Sequence, residues 1–144
     1  MFVEVIGGSK SQKQHVYKMV EFCKQKLMPK MQNLEITVNL CKPQGAMGYC
    51  CETDDNRTFE IEVDKSQSLR PLLETVAHEM VHVKQYAKRE LSPDKHVWLG
   101  KTYDPEKVDY WDQPWEIEAH GREIGLFIRY CEANNLSKQK WTQE

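Results

Sequence analysis

With 144 residues, the chain has room for one hydrophobic core and none for a separate regulatory module, so a single domain over residues 1–144 is expected. A formal net charge of −2 gives no electrostatic footprint for nucleic acid, and no stretch approaches the roughly 20 apolar residues of a membrane span. Met1–Ile6 lacks the charged start and long apolar run of a secretory leader, and five cysteines without a C-x-x-C pair fit neither a zinc ribbon nor a disulfide framework, so reduced thiols and a cytoplasmic location are expected.

The first element is an amphipathic helix from Ser11 to Met28, with Val16, Met19, Val20, Cys23 and Leu27 on one face and Pro29 ending it. His15 lies in a lysine-rich polar stretch and reads as surface. Glu35–Leu40 and Phe59–Asp64 alternate apolar and polar residues as half-buried strands do, and Met47–Cys51 adds a short strand between them. Lys42-Pro43-Gln44-Gly45 and Asp54-Asp55-Asn56-Arg57 supply the turns, which suggests a three-stranded antiparallel meander. Glu60, Glu62 and Asp64 read as the solvated face of that sheet, and an exposed edge strand there would suit pairing with an extended peptide.

A second helix is expected from about Leu69 to Arg89. Leu69, Leu72, Leu73, Val76, Met80, Val83 and Ala87 recur at helical spacing, with Ser66 or Ser68 as N-cap and basic residues at the end. This helix carries His78-Glu79-Met80-Val81-His82, an H-E-x-x-H motif. Residues i and i+4 share a helical face, so the two imidazoles can hold one Zn²⁺ while Glu79 reaches a water in the open position as general base. The spacing points to a zinc hydrolase, and to a third ligand further along the chain.

The connection from Glu90 to Gln113 is long, aromatic and weakly patterned. At least one of Trp98 and Trp111 is expected to cover the core, His96 lies in a polar loop, and Tyr103 or Tyr110 could donate to an oxyanion. A third helix follows from about Pro114 to Glu132, with Pro114 in its first turn and Ile117, Gly121, Ile124 and Ile128 as a narrow apolar stripe. Gly121 on that stripe would allow close approach to the His78/His82 helix. Glu116, Glu118 and His120 are the candidates for the third ligand, and at about 100° per residue only one can point at the metal. Lys138, Lys140 and Trp141 read as a frayed tail.

The pieces His78–Gln85 and Tyr110–Ala119, the latter carrying Glu118-Ala119, resemble gluzincin metallopeptidases, especially the short forms found in phages and mobile elements. The similarity covers about Phe59 to Arg129. It implies Glu118 as third zinc ligand beside His78 and His82, Glu79 as catalytic base, Zn²⁺ as cofactor and a protein or peptide as substrate. It also implies an α+β, zincin-like fold, with a small antiparallel sheet packed on the HExxH helix and a second ligand-bearing helix. A phage origin would put the protein in the host cytoplasm. Where such enzymes often carry a short acidic or amide residue after the ligand, this chain has His120, Arg122 and Glu123. Three alternatives stay open: Glu116 as ligand with Glu118 behind it, an SprT-like protease of DNA-bound proteins with His120 as ligand, and a non-catalytic zincin-like domain that binds a partner protein.

Overall fold

A computed structural model describes residues 1–43, 45–52 and 55–144, and of Tyr49, Cys51 and Glu52 the backbone only. Gln44 in the first expected turn and Asp54 in the second lie outside the described residues. The order is β1 (Phe2–Ile6), α1 (Lys10–Leu27), β2 (Glu35–Cys41), β3 (Gly48–Glu52), β4 (Thr58–Asp64), α2 (Leu69–Ala87), β5 (Val97–Trp98), β6 (Lys101–Thr102) and α3 (Pro114–Ala133). The fold is a small α+β arrangement of three helices and a four-stranded sheet, with a minimal β5–β6 hairpin beside it.

Helix α1 opens with a reciprocal cap: the Ser9 hydroxyl accepts from the Gln12 amide at 3.1 Å, and the Gln12 side chain accepts from the Ser9 amide at 2.9 Å. Its buried face is the expected one, with Val16, Met19, Val20, Cys23 and Leu27 all in the core. His15, expected at the surface, is half-buried. Its Nδ1 lies 3.0 Å from the Tyr130 hydroxyl, and its ring stacks edge-on against Trp141 at 5.1 Å. The tail is likewise docked: Lys140–Gln143 form a 3-10 turn, and Arg70 donates to the Thr142 carbonyl at 2.6 Å. Aromatic area on Trp141 outweighs the local lysines.

The sheet corrects the expected meander. Strand order is β1-β2-β4-β3, with β1–β2 and β2–β4 parallel and only β3–β4 antiparallel. Alternation reported the buried faces well, since Ile36, Val38, Leu40, Phe59, Ile61 and Val63 all point into the core. It says nothing about the neighbour. Helix α1 supplies the crossover that lets β1 run parallel to β2, a connection no hairpin can make.

Helices α1 and α2 pack on each other and on the apolar face of the sheet, and α3 packs on the far side of α2. Helix α2 is therefore enclosed, and every residue from Val76 to Ala87 is buried. Helix α3 reverses the expected stripe: Ile117, Ile124 and Ile128 are 56 %, 52 % and 44 % exposed, while Trp115, Glu116, Ala119, Phe127, Tyr130 and Cys131 face inward. A Cβ at Gly121 would meet nothing within 4 Å, so that glycine brings no neighbour close. Of the two tryptophans, at least one of which is expected to cover the core, Trp98 does so, packing toward Trp115, whereas Trp111 is 68 % exposed.

Candidate metal centre

The enclosure of α2 explains how polar side chains come to be buried mid-helix. His78, His82 and Gln85 recur at steps of four and three, so they form one polar face, which meets α3 rather than water. From α3, Pro114 starts the helix with its fixed φ, and the second residue after it, Glu116, turns inward between the two histidines. Glu116 Oε1 lies 3.1 Å from His78 Nε2 and 3.2 Å from His82 Nε2. Two ligands held about 2 Å from a tetrahedral centre sit about 3.3 Å apart, so this spacing fits a zinc-sized cation bound by His78, His82 and Glu116. Among the described residues these three donors all lie within 4.8 Å of one another.

Glu118, the ligand the resemblance implied, is elsewhere. Its carboxylate accepts from Lys84 Nζ at 2.6 Å, Gln85 Nε2 at 2.9 Å and Arg122 Nε at 3.1 Å. The cause is helical phase: Glu116 falls within the arc of α3 that contains Trp115 and Ala119, while Glu118 falls on its rim. Glu118 still bears on the centre through Gln85, which is fully buried and whose amide donates to both the Trp115 carbonyl, at 2.9 Å, and Glu118. Two acceptors on that side fix the amide orientation and leave Oε1 facing His82 Nδ1 at 2.8 Å. His82 must then be protonated at Nδ1, which frees the Nε2 lone pair for a metal.

His120 does not join both HExxH histidines. It belongs to a second group of possible donors with His78 and Glu123. Its Nδ1–H donates to Glu123 Oε1 at 2.6 Å, and its Nε2 lies 2.9 Å from the Tyr110 hydroxyl. The other Glu123 oxygen is 3.8 Å from His78 Nδ1, a buried nitrogen with no hydrogen-bond partner among the described residues. Tyr110, set by a short turn that Asp109 caps, donates to Glu116 at 3.1 Å. Tyr103 instead packs edge-on against Trp115.

The electrostatics follow from burial and pairing. Burial would raise the Glu116 carboxyl, but hydrogen bonds from His78 and His82 override it and hold the group far below the usual carboxylate range. Burial works against a charged His78, yet the carboxylates of Glu116 and Glu123 raise it to about 9 in the metal-free protein. Glu79, 5 % exposed, is pushed up by burial despite the opposing pull of the histidines and Lys95. Burial and the surrounding carboxylates keep the Tyr110 phenol protonated well past neutral pH.

These groups line a cleft of about 570 Å³ whose opposite wall is the start of β3, an edge strand. Gly48 is needed there, because a Cβ would come within 2.5 Å of Thr75 Cγ2 and 3.2 Å of Glu79 Oε1. Sequence reasoning missed Gln85, Lys84 and Glu123. The signal for Gln85 was present in its three-residue spacing from His82, whereas Glu123 and Lys84 are assigned only by the α2–α3 contact. No family model matches the chain, and neither the curated proteins nor the solved structures yield a match.

Proposed function

We propose that the protein is a zinc-dependent metallopeptidase of zincin-like fold, with His78, His82 and Glu116 holding the metal and Glu79 as general base. The observation that carries this reading is the convergence of two imidazole Nε2 atoms and one carboxylate oxygen in an open cleft that also contains a buried, proton-seeking glutamate. When bound, zinc supplies Lewis acidity that polarises a carbonyl and lowers the pKa of water. Three protein donors leave a coordination position free, the arrangement of a catalytic rather than a structural site.

Glu79 takes a proton from the attacking water and passes it to the leaving amine. Its raised pKa brings both steps closer to neutral pH. Gln85 fixes the His82 tautomer, and Glu123 faces the remaining nitrogen of His78. The Tyr110 hydroxyl stays protonated in the cleft, and its one proton, which Glu116 accepts in the metal-free protein, turns to the oxyanion that forms as the carbonyl is attacked once Glu116 is engaged by the metal. The β3 edge offers backbone partners to an extended substrate.

The test is hydrolysis of a quenched-fluorescence peptide library by zinc-loaded protein, beside Glu79→Gln. Cleavage should fall by roughly 10²–10⁴-fold in the variant while zinc content stays the same. Equal cleavage by both proteins would remove Glu79 from the mechanism. Zinc binding without cleavage of any peptide would favour the non-catalytic, partner-binding reading.

A further inference from the structure

Lys95 is the one lysine or arginine among the described residues lining the metal cleft, whose other titratable groups include Tyr110, the carboxyls of Glu79, Glu116 and Glu123, and the imidazoles of His78, His82 and His120. Its side chain makes no ion pair within 4.0 Å and no hydrogen bond among the described residues. The nearest acidic residue in sequence, Asp94, is already engaged, accepting from the Ser92 hydroxyl at 2.7 Å and the His96 amide at 3.0 Å. The loop is closed on itself by Lys95 N to Ser92 O at 2.9 Å and Ser92 N to Val97 O at 3.0 Å. Lys95 adopts φ 62°, a left-handed conformation that asparagine or glycine takes more readily than lysine. The chain thus holds a partly buried lysine, without a close ion pair among the described residues and acting on Glu79 only at longer range, at the rim of a reaction cleft from a loop closed by its own hydrogen bonds.

Resting on the metallopeptidase reading, the geometry points to Lys95 as a specificity-determining residue that binds a carboxylate of the substrate beside the scissile bond. An ammonium with no hydrogen-bonded or ion-paired partner among the described residues, in a cleft whose own carboxylates are committed to histidines or to proton transfer, is complementary to an incoming anion. That carboxylate has two sources: an acidic side chain, or the free C-terminus of a peptide. The first makes the protein an endopeptidase selective for Asp or Glu near the cut, and the second makes it a carboxypeptidase.

The experiment measures binding of short peptides to zinc-loaded Glu79→Gln protein, in which turnover is blocked. One series carries a single Asp walked along a neutral, C-terminally amidated sequence; the other is the same neutral sequence with its C-terminus free. The fully neutral, amidated peptide is the reference. One of the two series should bind about tenfold tighter than the reference, and which one identifies the source of the carboxylate. The preference should vanish when Lys95→Asn is added, a change that removes the charge and suits the left-handed backbone, and Lys95→Arg should restore it. A Lys95→Glu variant should instead favour a lysine-walked series. Equal binding of all peptides by the parent, or a preference that survives Lys95→Asn, overturns the role of Lys95 and leaves the metallopeptidase reading standing. No binding of any peptide by zinc-loaded protein overturns both.

Discussion

Helices α2 and α3 face each other across the candidate metal centre, but they use their apolar residues in opposite ways. In α2 the apolar face meets the sheet and α1, and the polar face meets α3, so from Val76 onward the helix is buried all round. In α3 the inward face mixes Trp115, Ala119 and Phe127 with Glu116, while three isoleucines stay in solvent. The difference teaches that hydrophobic periodicity locates a core but not a site. Where a helix must deliver a carboxylate to its neighbour, the deeply buried side need not be the most apolar one, because Glu116 is compensated by two histidines and Tyr110.

The sharpest way to break this comparison is to mutate both faces of α3. Trp115→Ala on the inner face should cost about 3–5 kcal/mol, by transfer and cavity terms, whereas Ile124→Ser on the outer face should stay within about 0.5 kcal/mol. Urea denaturation of the two variants decides it, and equal losses would mean that the isoleucine stripe packs against something in solution. Next in size is the pH dependence of the metal-free protein. His78 is raised above its ordinary 6.5, so its contribution is complete below that pH and is lost as pH climbs through about 9. Glu116 is depressed from 4.5, so its contribution is present above that value and is lost in acid. Glu79, raised above 4.5, likewise loses its contribution as pH rises, so stability in chelator should be greatest in the mildly acidic range and decline toward pH 9. Zinc-loaded protein, whose imidazoles hold metal instead of protons, should not show that alkaline decline.

A smaller effect sharpens the polar side of α2. Gln85→Leu keeps the volume but releases the His82 tautomer, and zinc affinity in a chelator competition should drop by about 10–100-fold. An unchanged affinity would leave Gln85 as a packing residue only.

Much of this was legible in the sequence. The face of α1, the extent of α2 and the pairing of His78 with His82 all follow from spacing of three and four. Ile36, Val38, Ile61 and Val63 were assigned to the core by alternation alone. The parallel sheet was not legible, because alternation marks a buried face without naming the neighbouring strand, and β1 is too short and half-exposed to announce itself. The third ligand was placed at Glu118 by the resemblance that the Glu118-Ala119 pair carries, and the stripe of Ile117, Ile124 and Ile128 gave α3 an inner face that did not single out Glu116. Phasing the helix on Trp115, Ala119, Phe127 and Tyr130 instead turns Glu116 inward and leaves Glu118 on the rim, where Lys84 and Gln85 meet it. Large aromatics bury more area than isoleucines and were the better guide.

The most direct test of the account is zinc content by elemental mass spectrometry of wild type, Glu116→Ala and Glu118→Ala, purified in parallel after metal loading. One zinc per chain in the wild type and in Glu118→Ala, with none in Glu116→Ala, is the predicted result. Zinc retained by Glu116→Ala and lost from Glu118→Ala, or absent from the wild type, would contradict it.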